Sequence, residues 1–124
     1  MNKNNKKLAV VTGAARGIGL ATVNLFEKNG FAVALVDRDS NELKNCCIEN
    51  EVKKTFCFDI SNLNEVSLMF KSIYDWHGRI DVLVNNAGVA DFGKIEDTSF
   101  ERWNIVMNTN LNGAFLCSQQ AIPY

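Results

Sequence analysis

The sequence LAVVTGAARGIG, residues 8–19, sets the architecture of this chain. Residues 8–12 form an apolar run of strand length, and a turn rich in glycine follows directly. Apolar side chains then recur at helical spacing, for example at Ile18 and Leu25, until Asn29-Gly30 supplies a left-handed helix end. A strand, a glycine turn and a helix in this order predict the first crossover of a parallel α/β sheet.

Three further apolar runs, at residues 31–36, 55–58 and 80–84, alternate with segments of helical period. The last of these runs is almost wholly apolar, which is typical of a strand covered by helices on both faces. Regular alternation of strands and helices indicates right-handed crossovers. We therefore predict a three-layer Rossmann-type α/β fold with a parallel sheet of strand order about 3-2-1-4. It occupies residues 1–124 as one domain, incomplete at its carboxyl end.

Local signals predict where the later helices begin and end. The second helix is expected to run to about Asn50, and Ser61 is expected to cap the third helix. Thr98 and Glu101 have the spacing of a capping box. One long final helix over about residues 100–120 should follow.

The composition is typical of one globular domain and shows no excess charge that would attract a highly charged partner. The chain has 124 residues, 47% of them hydrophobic, and 13 basic residues against 14 acidic ones. Such a balance argues against nucleic acid or an anionic membrane as a partner. Thr12, Gly13 and Arg16 interrupt the apolar run that follows MNKNNKK, so no secretion signal is expected. With no apolar segment of membrane-spanning length, we predict a soluble protein.

The cysteines do not form a recognisable framework. Cys46 and Cys47 are adjacent, no Cys-x-x-Cys spacing occurs, and His77 is the only histidine. This set offers no plausible ligands for a metal ion, so no metal site is predicted. Reduced thiols are typical of the cytoplasm, where we place the protein.

The glycine turn predicts a nucleotide site. The amino terminus of a helix carries unpaired N–H groups and the positive end of the helix dipole, and both stabilise a phosphate. Gly13, Gly17 and Gly19 allow the backbone to approach such a ligand closely. The preceding strand, the following helix and an acidic residue at the next strand end together favour a dinucleotide.

Acidic residues at two strand ends predict which dinucleotide is bound. The carboxylate of Asp37 can accept both hydroxyls of an adenosine ribose and repels a 2′-phosphate, which favours NAD over NADP. Arg16 and Arg38 could offer that phosphate a cation, but short-range repulsion in a partly desolvated pocket should outweigh flexible exposed arginines. Asp59 ends the third strand near the expected adenine position, where it could equally cap a helix.

Four motifs resemble those of the short-chain dehydrogenase/reductase family, and together they extend over nearly the whole chain. They are Thr-Gly-x-x-x-Gly-x-Gly at residues 12–19, Asp-Ile at 59–60, Asn-Asn-Ala-Gly at 85–88 and Asn-Leu-x-Gly at 110–113. The resemblance implies hydride transfer between a nicotinamide and an alcohol or carbonyl substrate.

The resemblance also implies roles for individual residues. Ile18 would offer a backbone amide to the pyrophosphate, and Asp59 and Ile60 would contact adenine. Asn110 would be the catalytic-helix asparagine that helps hold a water in a proton relay. The residues that would border the adenosine ribose and the nicotinamide side are Asn86, Ala87 and Gly88.

The sequence departs from the family pattern in its catalytic group. Family members carry Tyr-x-x-x-Lys and an earlier serine, whereas Tyr74 is followed at the fourth position by Gly78, and Tyr124 is the last residue. We therefore expect the amino-terminal part of an NAD-dependent oxidoreductase, inactive alone. A missing fifth strand would leave an apolar sheet edge at 80–84. Homo-oligomerisation, strand swapping or loss of order after about Gly88 would follow.

Two other functions stay open at this point. The chain could be a non-catalytic dinucleotide-binding module or a vestigial product. It could also be a methyltransferase, because an acid after the second strand suits the ribose of S-adenosylmethionine. The glycine spacing and the Asn85–Gly88 motif argue against the methyltransferase.

Overall fold

The computed structural model describes residues 5–124 and contains one parallel sheet of strand order β3-β2-β1-β4. The strands are β1 (Leu8–Thr12), β2 (Ala32–Asp37), β3 (Lys53–Cys57) and β4 (Val82–Val84). The helices are α1 (Gly17–Lys28), α2 (Ser40–Cys46), α3 (Leu63–His77), α4 (Phe100–Met107) and α5 (Gly113–Ala121). The predicted α/β fold and strand order are confirmed. The predicted absence of a secretion signal rests partly on residues 1–4, which lie outside the described residues.

The core lies on both faces of the two central strands. All five residues of β1 are buried, as are the first five of β2, because helices cover both faces of the sheet. Val10 belongs to the cluster that contains Phe70 of α3 and Cys117 of α5, whereas Val11 belongs to the cluster that contains Val23 of α1. Burying a side chain such as Phe70 contributes roughly 1.5–3 kcal/mol to folding. The result is the predicted three-layer arrangement.

Two helix ends differ from the prediction. Helix α2 ends at Cys46 rather than near Asn50, because Cys47 has extended backbone and its side chain is buried in the core. The cap of α3 is Asn62 rather than Ser61: the Asn62 side chain accepts from the Glu65 N–H at 3.2 Å. The Ser61 hydroxyl instead donates to Asp59 Oδ1 at 2.8 Å.

The last helical segment is not one continuous helix. It begins at Phe100, with Ser99 rather than Thr98 as its cap, since Ser99 Oγ accepts from the Arg102 N–H at 3.1 Å. A π-helical turn at Asn108–Asn112 then separates α4 from α5. Three asparagines and a threonine, all poor helix formers, occupy this turn beside Leu111, and the Asn112 side chain donates to Asn108 Oδ1 at 3.0 Å.

Strand β4 lies at one edge of the sheet and is shorter than predicted. Its three residues are half-buried, so the expected cover on both faces is incomplete. Beyond Gly88 the chain forms a loop, a 3₁₀ turn at Ile95–Asp97 and then α4 and α5. Among residues 5–124, no helix is both long and apolar enough to cross a membrane.

Candidate functional site

The carboxyl ends of the parallel strands open into a cleft of about 430 Å³. The cleft lies beside β1 and β4. At this point the strand order switches sides, because β2 and β3 lie on one side of β1 and β4 lies on the other. Ligands usually bind at such a switch point in open α/β sheets. The volume of the cleft falls within the range of small-molecule sites. Ten of the predicted site residues line it: Gly13, Arg16, Ile18, Asp37, Arg38, Asp59, Ile60, Asn86, Ala87 and Gly88.

The turn between β1 and α1 favours glycine at three positions for two reasons: Gly13 and Gly17 have positive φ, and a Cβ at Gly13 or Gly19 would meet other atoms within 3 Å. Gly13 has φ +63°, and a Cβ at Gly19 would lie 2.1 Å from the Gly13 carbonyl oxygen. Gly17 and Gly19 do not line the cleft, so they shape the turn instead. The N–H groups of residues 17–19 find no protein acceptor in the described part of the chain, because a helix start leaves them free.

The Asn86 side chain fixes the turn against the loop that follows β4. Its Nδ2 donates to the carbonyl oxygens of Thr12 at 3.1 Å and Gly13 at 3.2 Å. In return the Thr12 hydroxyl, which is fully buried, accepts from the N–H groups of Asn86 at 3.1 Å and Ala87 at 3.0 Å. Four hydrogen bonds therefore hold two motifs, far apart in sequence, in one rigid unit.

The carboxylate of Asp37 is fixed by backbone donors on either side. Oδ2 accepts from the Ala15 N–H at 3.2 Å, and Oδ1 accepts from the Asp39 N–H at 3.0 Å. A carboxylate offers about four lone-pair sites, so capacity for two more donors remains. Asp37 is thus held at the cleft as an oriented acceptor that can receive the hydroxyls of a vicinal diol.

Two arginines flank Asp37 and differ in their contacts. Arg16 Nη2 lies 3.1 Å from Asp39 Oδ2 in an exposed ion pair. Arg38 is exposed, and among residues 5–124 it is in no ion pair. The two cations at the cleft are therefore not equivalent, because only that of Arg16 has an acidic partner.

Asp59 and Ile60 form the far wall of the cleft. Asp59 Oδ1 accepts from the Ser61 N–H at 2.9 Å and from the Ser61 hydroxyl, which makes a tight turn before α3. Ile60 is buried and packs against Gly113, where a Cβ would lie 2.7 Å from Ile60 Cδ1. Gly113 therefore lets α5 approach this wall closely, and a larger residue there would force the Ile60 side chain to shift.

Asn110 lies beside the cleft and does not line it. From the π-helical turn, its Oδ1 accepts from the Val89 N–H at 2.8 Å and its Nδ2 donates to the Val89 carbonyl oxygen at 2.9 Å. Both polar atoms of the side chain are thus used to hold Val89, which does line the cleft. Asn85 does not line the cleft. Its Nδ2 donates to Ser118 Oγ of α5 at 3.1 Å.

An ion pair shapes the loop that continues from Val89. Arg102 of α4 bonds both carboxylate oxygens of Asp91, each at 2.6 Å, and its guanidinium also donates to the Phe92 and Asp97 carbonyl oxygens. This guanidinium holds the pKa of Asp91 below its usual range. The loop is therefore tied to α4 by a fork-to-fork contact.

Four residues of the cleft were not predicted: Val36, Phe58, Val89 and Thr109. Each directly precedes or follows a motif residue, so adjacency to Asp37, Asp59, Gly88 and Asn110 was the only available signal. They carry no chemistry of their own that would single them out. Within residues 5–124, no group of three or more His, Cys, Asp or Glu side chains could hold a metal ion.

Comparison with known proteins identifies the family to which this chain belongs. The family model described as short chain dehydrogenase matches residues 7–124. This chain belongs to the short-chain dehydrogenase family. An uncharacterized oxidoreductase of Staphylococcus epidermidis is 33% identical over 125 residues, a match that covers all of this chain and 54% of the relative. The chain thus spans about half the length of the curated relatives it matches.

Solved structures of short-chain dehydrogenases share the fold and carry two different cofactors. A 3-ketoacyl-(acyl-carrier-protein) reductase from Brucella melitensis complexed with NADH has a TM-score of 0.91 and 29% identity, over 97% of this chain and 50% of that one. A metagenomic short-chain oxidoreductase in complex with NADP has a TM-score of 0.87 and 32% identity, over 94% of this chain and 55% of that one. The family binds nicotinamide dinucleotides, and the comparisons favour neither form.

Proposed function

We propose that this chain forms the NAD-binding part of an oxidoreductase that transfers a hydride between a nicotinamide and an alcohol or carbonyl substrate. The observation that carries the preference for NAD is the fixed carboxylate of Asp37 at the cleft. It is oriented by two backbone N–H groups and can still accept the two hydroxyls of an unmodified ribose.

The residues around the turn fit a dinucleotide. A Cβ at Gly13 would lie 2.8 Å from the Ala87 Cα, so glycine here keeps the backbone close to the adjacent loop and leaves the cleft open. The free N–H groups at the start of α1 would hold the diphosphate, and Asp37 would hold the adenosine ribose. Asp59 and Ile60 would border adenine, and Asn86, Ala87 and Gly88 would border the adenosine ribose and the nicotinamide side.

When bound, the nicotinamide ring supplies the hydride donor or acceptor. The residues of this chain bind and orient it. Asn110 fixes Val89 through both of its side-chain polar atoms, which sets the shape of the cleft beside Gly88. A role for Asn110 in holding a relay water stays a prediction from the resemblance.

Binding measurements on the chain and on Asp37→Asn test the proposal. Calorimetry of the wild-type chain should show NAD binding more tightly than NADP or S-adenosylmethionine. Asp37→Asn should weaken NAD binding about 10-fold or more, because hydrogen bonds to a charged acceptor contribute roughly 1.5–3 kcal/mol. The variant should also lose most of the discrimination against NADP.

Asp75→Asn is the matched control. Asp75 is exposed on α3, where it pairs with Lys71 outside the cleft, so its loss should leave the affinity for NAD unchanged. Tighter binding of NADP or S-adenosylmethionine to the wild-type chain would contradict the proposed cofactor. An equal loss of NAD binding in both variants would show that net charge, and not the position of Asp37, governs binding.

The proposal includes a cytoplasmic setting and a homo-oligomer. The four cysteines are free thiols, which supports a reducing compartment. Large apolar side chains are exposed on the π-helical turn and α5, notably Leu111 and Phe115, and β4 is an edge strand. Exposed apolar surface beside a strand edge favours association with a second copy. Sedimentation that stays monomeric at high concentration would contradict this part.

A further inference from the structure

Asp39 is a second acidic residue close to the cleft, next to Arg38 in sequence, and it lies outside the four motifs quoted above. Its carboxylate has two partners. Oδ1 accepts from the Glu42 N–H at 3.1 Å and so caps α2, while Oδ2 lies 3.1 Å from Arg16 Nη2. The Asp39 backbone N–H also donates to Asp37 Oδ1 at 3.0 Å. Asp39 therefore connects the ribose acceptor, the α2 cap and the Arg16 cation.

The position of Arg16 makes this pair relevant to cofactor choice. Arg16 is the residue before α1 and lines the cleft together with Asp37. Its side chain is 65% exposed, so without a partner it could reorient freely. A guanidinium matches the geometry of a phosphate with paired N–H donors. An unpaired Arg16 beside the ribose acceptor would thus attract the 2′-phosphate that Asp37 repels.

The α2 cap gives Asp39 a fixed position. The bond from the Glu42 N–H orients the carboxylate before any contact with Arg16 forms. A partner that is already oriented loses less side-chain entropy when it pairs, although an exposed pair remains modest in strength. The ion pair therefore favours conformations in which the Arg16 guanidinium lies beside Asp39.

We propose that Asp39 is a specificity-determining residue, which holds the Arg16 guanidinium away from the position of a 2′-phosphate and so strengthens discrimination against NADP. This inference rests on the proposed NAD preference. It assigns the discrimination to two acidic residues with different roles: Asp37 accepts the ribose hydroxyls, and Asp39 occupies the nearby cation.

Asp39→Asn tests the proposal, because asparagine keeps an oxygen for the Glu42 N–H and loses the charge that holds Arg16. The probes are NAD, NADP, ADP and 2′-phosphorylated ADP, titrated by calorimetry at low ionic strength. Asp39→Asn should tighten binding of both 2′-phosphorylated probes about 3- to 5-fold, as an exposed ion pair allows. The affinities for NAD and ADP should change less than 2-fold. Thermal denaturation should give an unchanged midpoint, as the cap is retained.

A double-mutant cycle separates release of Arg16 from simple repulsion by Asp39. In an Arg16→Gln background, Asp39→Asn should give no gain for the 2′-phosphorylated probes. In an Arg38→Gln background, the matched control, the full gain should persist. No gain in the wild-type background overturns the inference, and so does a gain that survives Arg16→Gln.

The outcomes for the two proposals are distinguishable. Wild-type preference for NADP over NAD would overturn the proposed cofactor. The coupling of Asp39 to Arg16 is read from the cycle with the ADP probes and does not depend on that preference. A gain that persists undiminished at high salt would overturn the inference, since exposed charges are screened.

Discussion

Ile60 and Gly113 are in direct contact across the wall of the cleft, where a Cβ on Gly113 would lie 2.7 Å from Ile60 Cδ1 and 3.0 Å from Ile60 Cγ1. Ile60 comes from the Asp-Ile motif after β3, and Gly113 ends the Asn-Leu-x-Gly motif and is the first residue of α5. Two motifs that are separate in sequence are therefore one packing unit. The glycine allows α5 to approach the residue that borders the cleft.

Gly113→Ala should destabilise the fold and weaken dinucleotide binding together. Overpacking costs about 1–3 kcal/mol, against a gain of up to about 1 kcal/mol from the better helix propensity of alanine. We expect a net loss of about 1 kcal/mol in denaturant titrations. Ile60→Val removes Cδ1 and should restore most of the loss in the double variant. Gly93→Ala is the control, since a Cβ there meets only Arg102 Nη2 at 3.6 Å.

Thr12→Val should lower the free energy of unfolding by about 1–3 kcal/mol. Valine has nearly the same shape but leaves the N–H groups of Asn86 and Ala87 without their acceptor in a buried setting. Thr12→Ser keeps the hydroxyl and should recover most of that stability. If urea titrations give equal losses for the two variants, the methyl group matters as much as the hydrogen bonds, which would contradict this prediction.

Asn110→Ala should release the loop at Val89. The variant removes an acceptor for the Val89 N–H and a donor for its carbonyl oxygen. Hydrogen exchange at the Val89 amide should accelerate about 5-fold or more, as a net hydrogen bond is worth about 1 kcal/mol. Asn112→Ala is the control, because the Asn112 amide donates to Asn108 Oδ1 instead. Unchanged exchange at Val89 would count against the assigned role.

Stability should fall in acid partly through Asp81. Arg79 and the Leu8 N–H both bond its carboxylate, and the Arg79 contact holds the pKa of Asp81 below its ordinary value of about 3.9. A carboxylate whose pKa is lower in the folded state stabilises the fold at pH values above its unfolded-state pKa. This contribution is lost as the pH falls through the folded-state pKa. Wild type should exceed Asp81→Asn in stability at neutral pH, and the difference should narrow as the pH falls below the ordinary pKa of an aspartate and through the lowered pKa of Asp81. A gap independent of pH would contradict this.

The thiols should differ sharply in reactivity. Burial raises the pKa of Cys117 to about 12, whereas Cys57 is exposed at the end of β3. Only the thiolate reacts with alkylating agents, so Cys117 should react at least 100-fold more slowly than Cys57 at pH 8. Mass spectrometry of timed labelling can measure both rates. Cys57→Ser should remove the fast phase and leave Cys117 unlabelled until the protein is unfolded.

Local periodicity and one turn motif were sufficient to predict the strand order. Each apolar run leads into a helix of the right length, and right-handed crossovers leave few ways to arrange four such units. The residues at the strand ends follow from that order, because the carboxyl ends of parallel strands share one edge. Asp37, Asp59 and Asn86 meet at the cleft for this reason.

Features that depend on tertiary contacts could not be predicted from the sequence. Nothing local distinguishes Cys47, whose burial ends α2 early, from a residue that continues the helix. The weak helix formers at Asn108–Asn112 indicated a loss of helix stability, but the partner of Asn110 in the π-helical turn is Val89, which lies far away in sequence. Thr109 lies in that turn and lines the cleft.

The contact of Asn86 with the glycine turn limits how this binding element can be transplanted. The turn has no room for a Cβ at Gly19, where the nearest atoms are the Gly13 oxygen at 2.1 Å and Asn86 Nδ2 at 2.7 Å. Residues 12–19 grafted into an unrelated scaffold would lack the amide that holds their carbonyls. Gene shuffling among homologues should therefore favour progeny that take the glycine segment and the asparagine segment from the same parent.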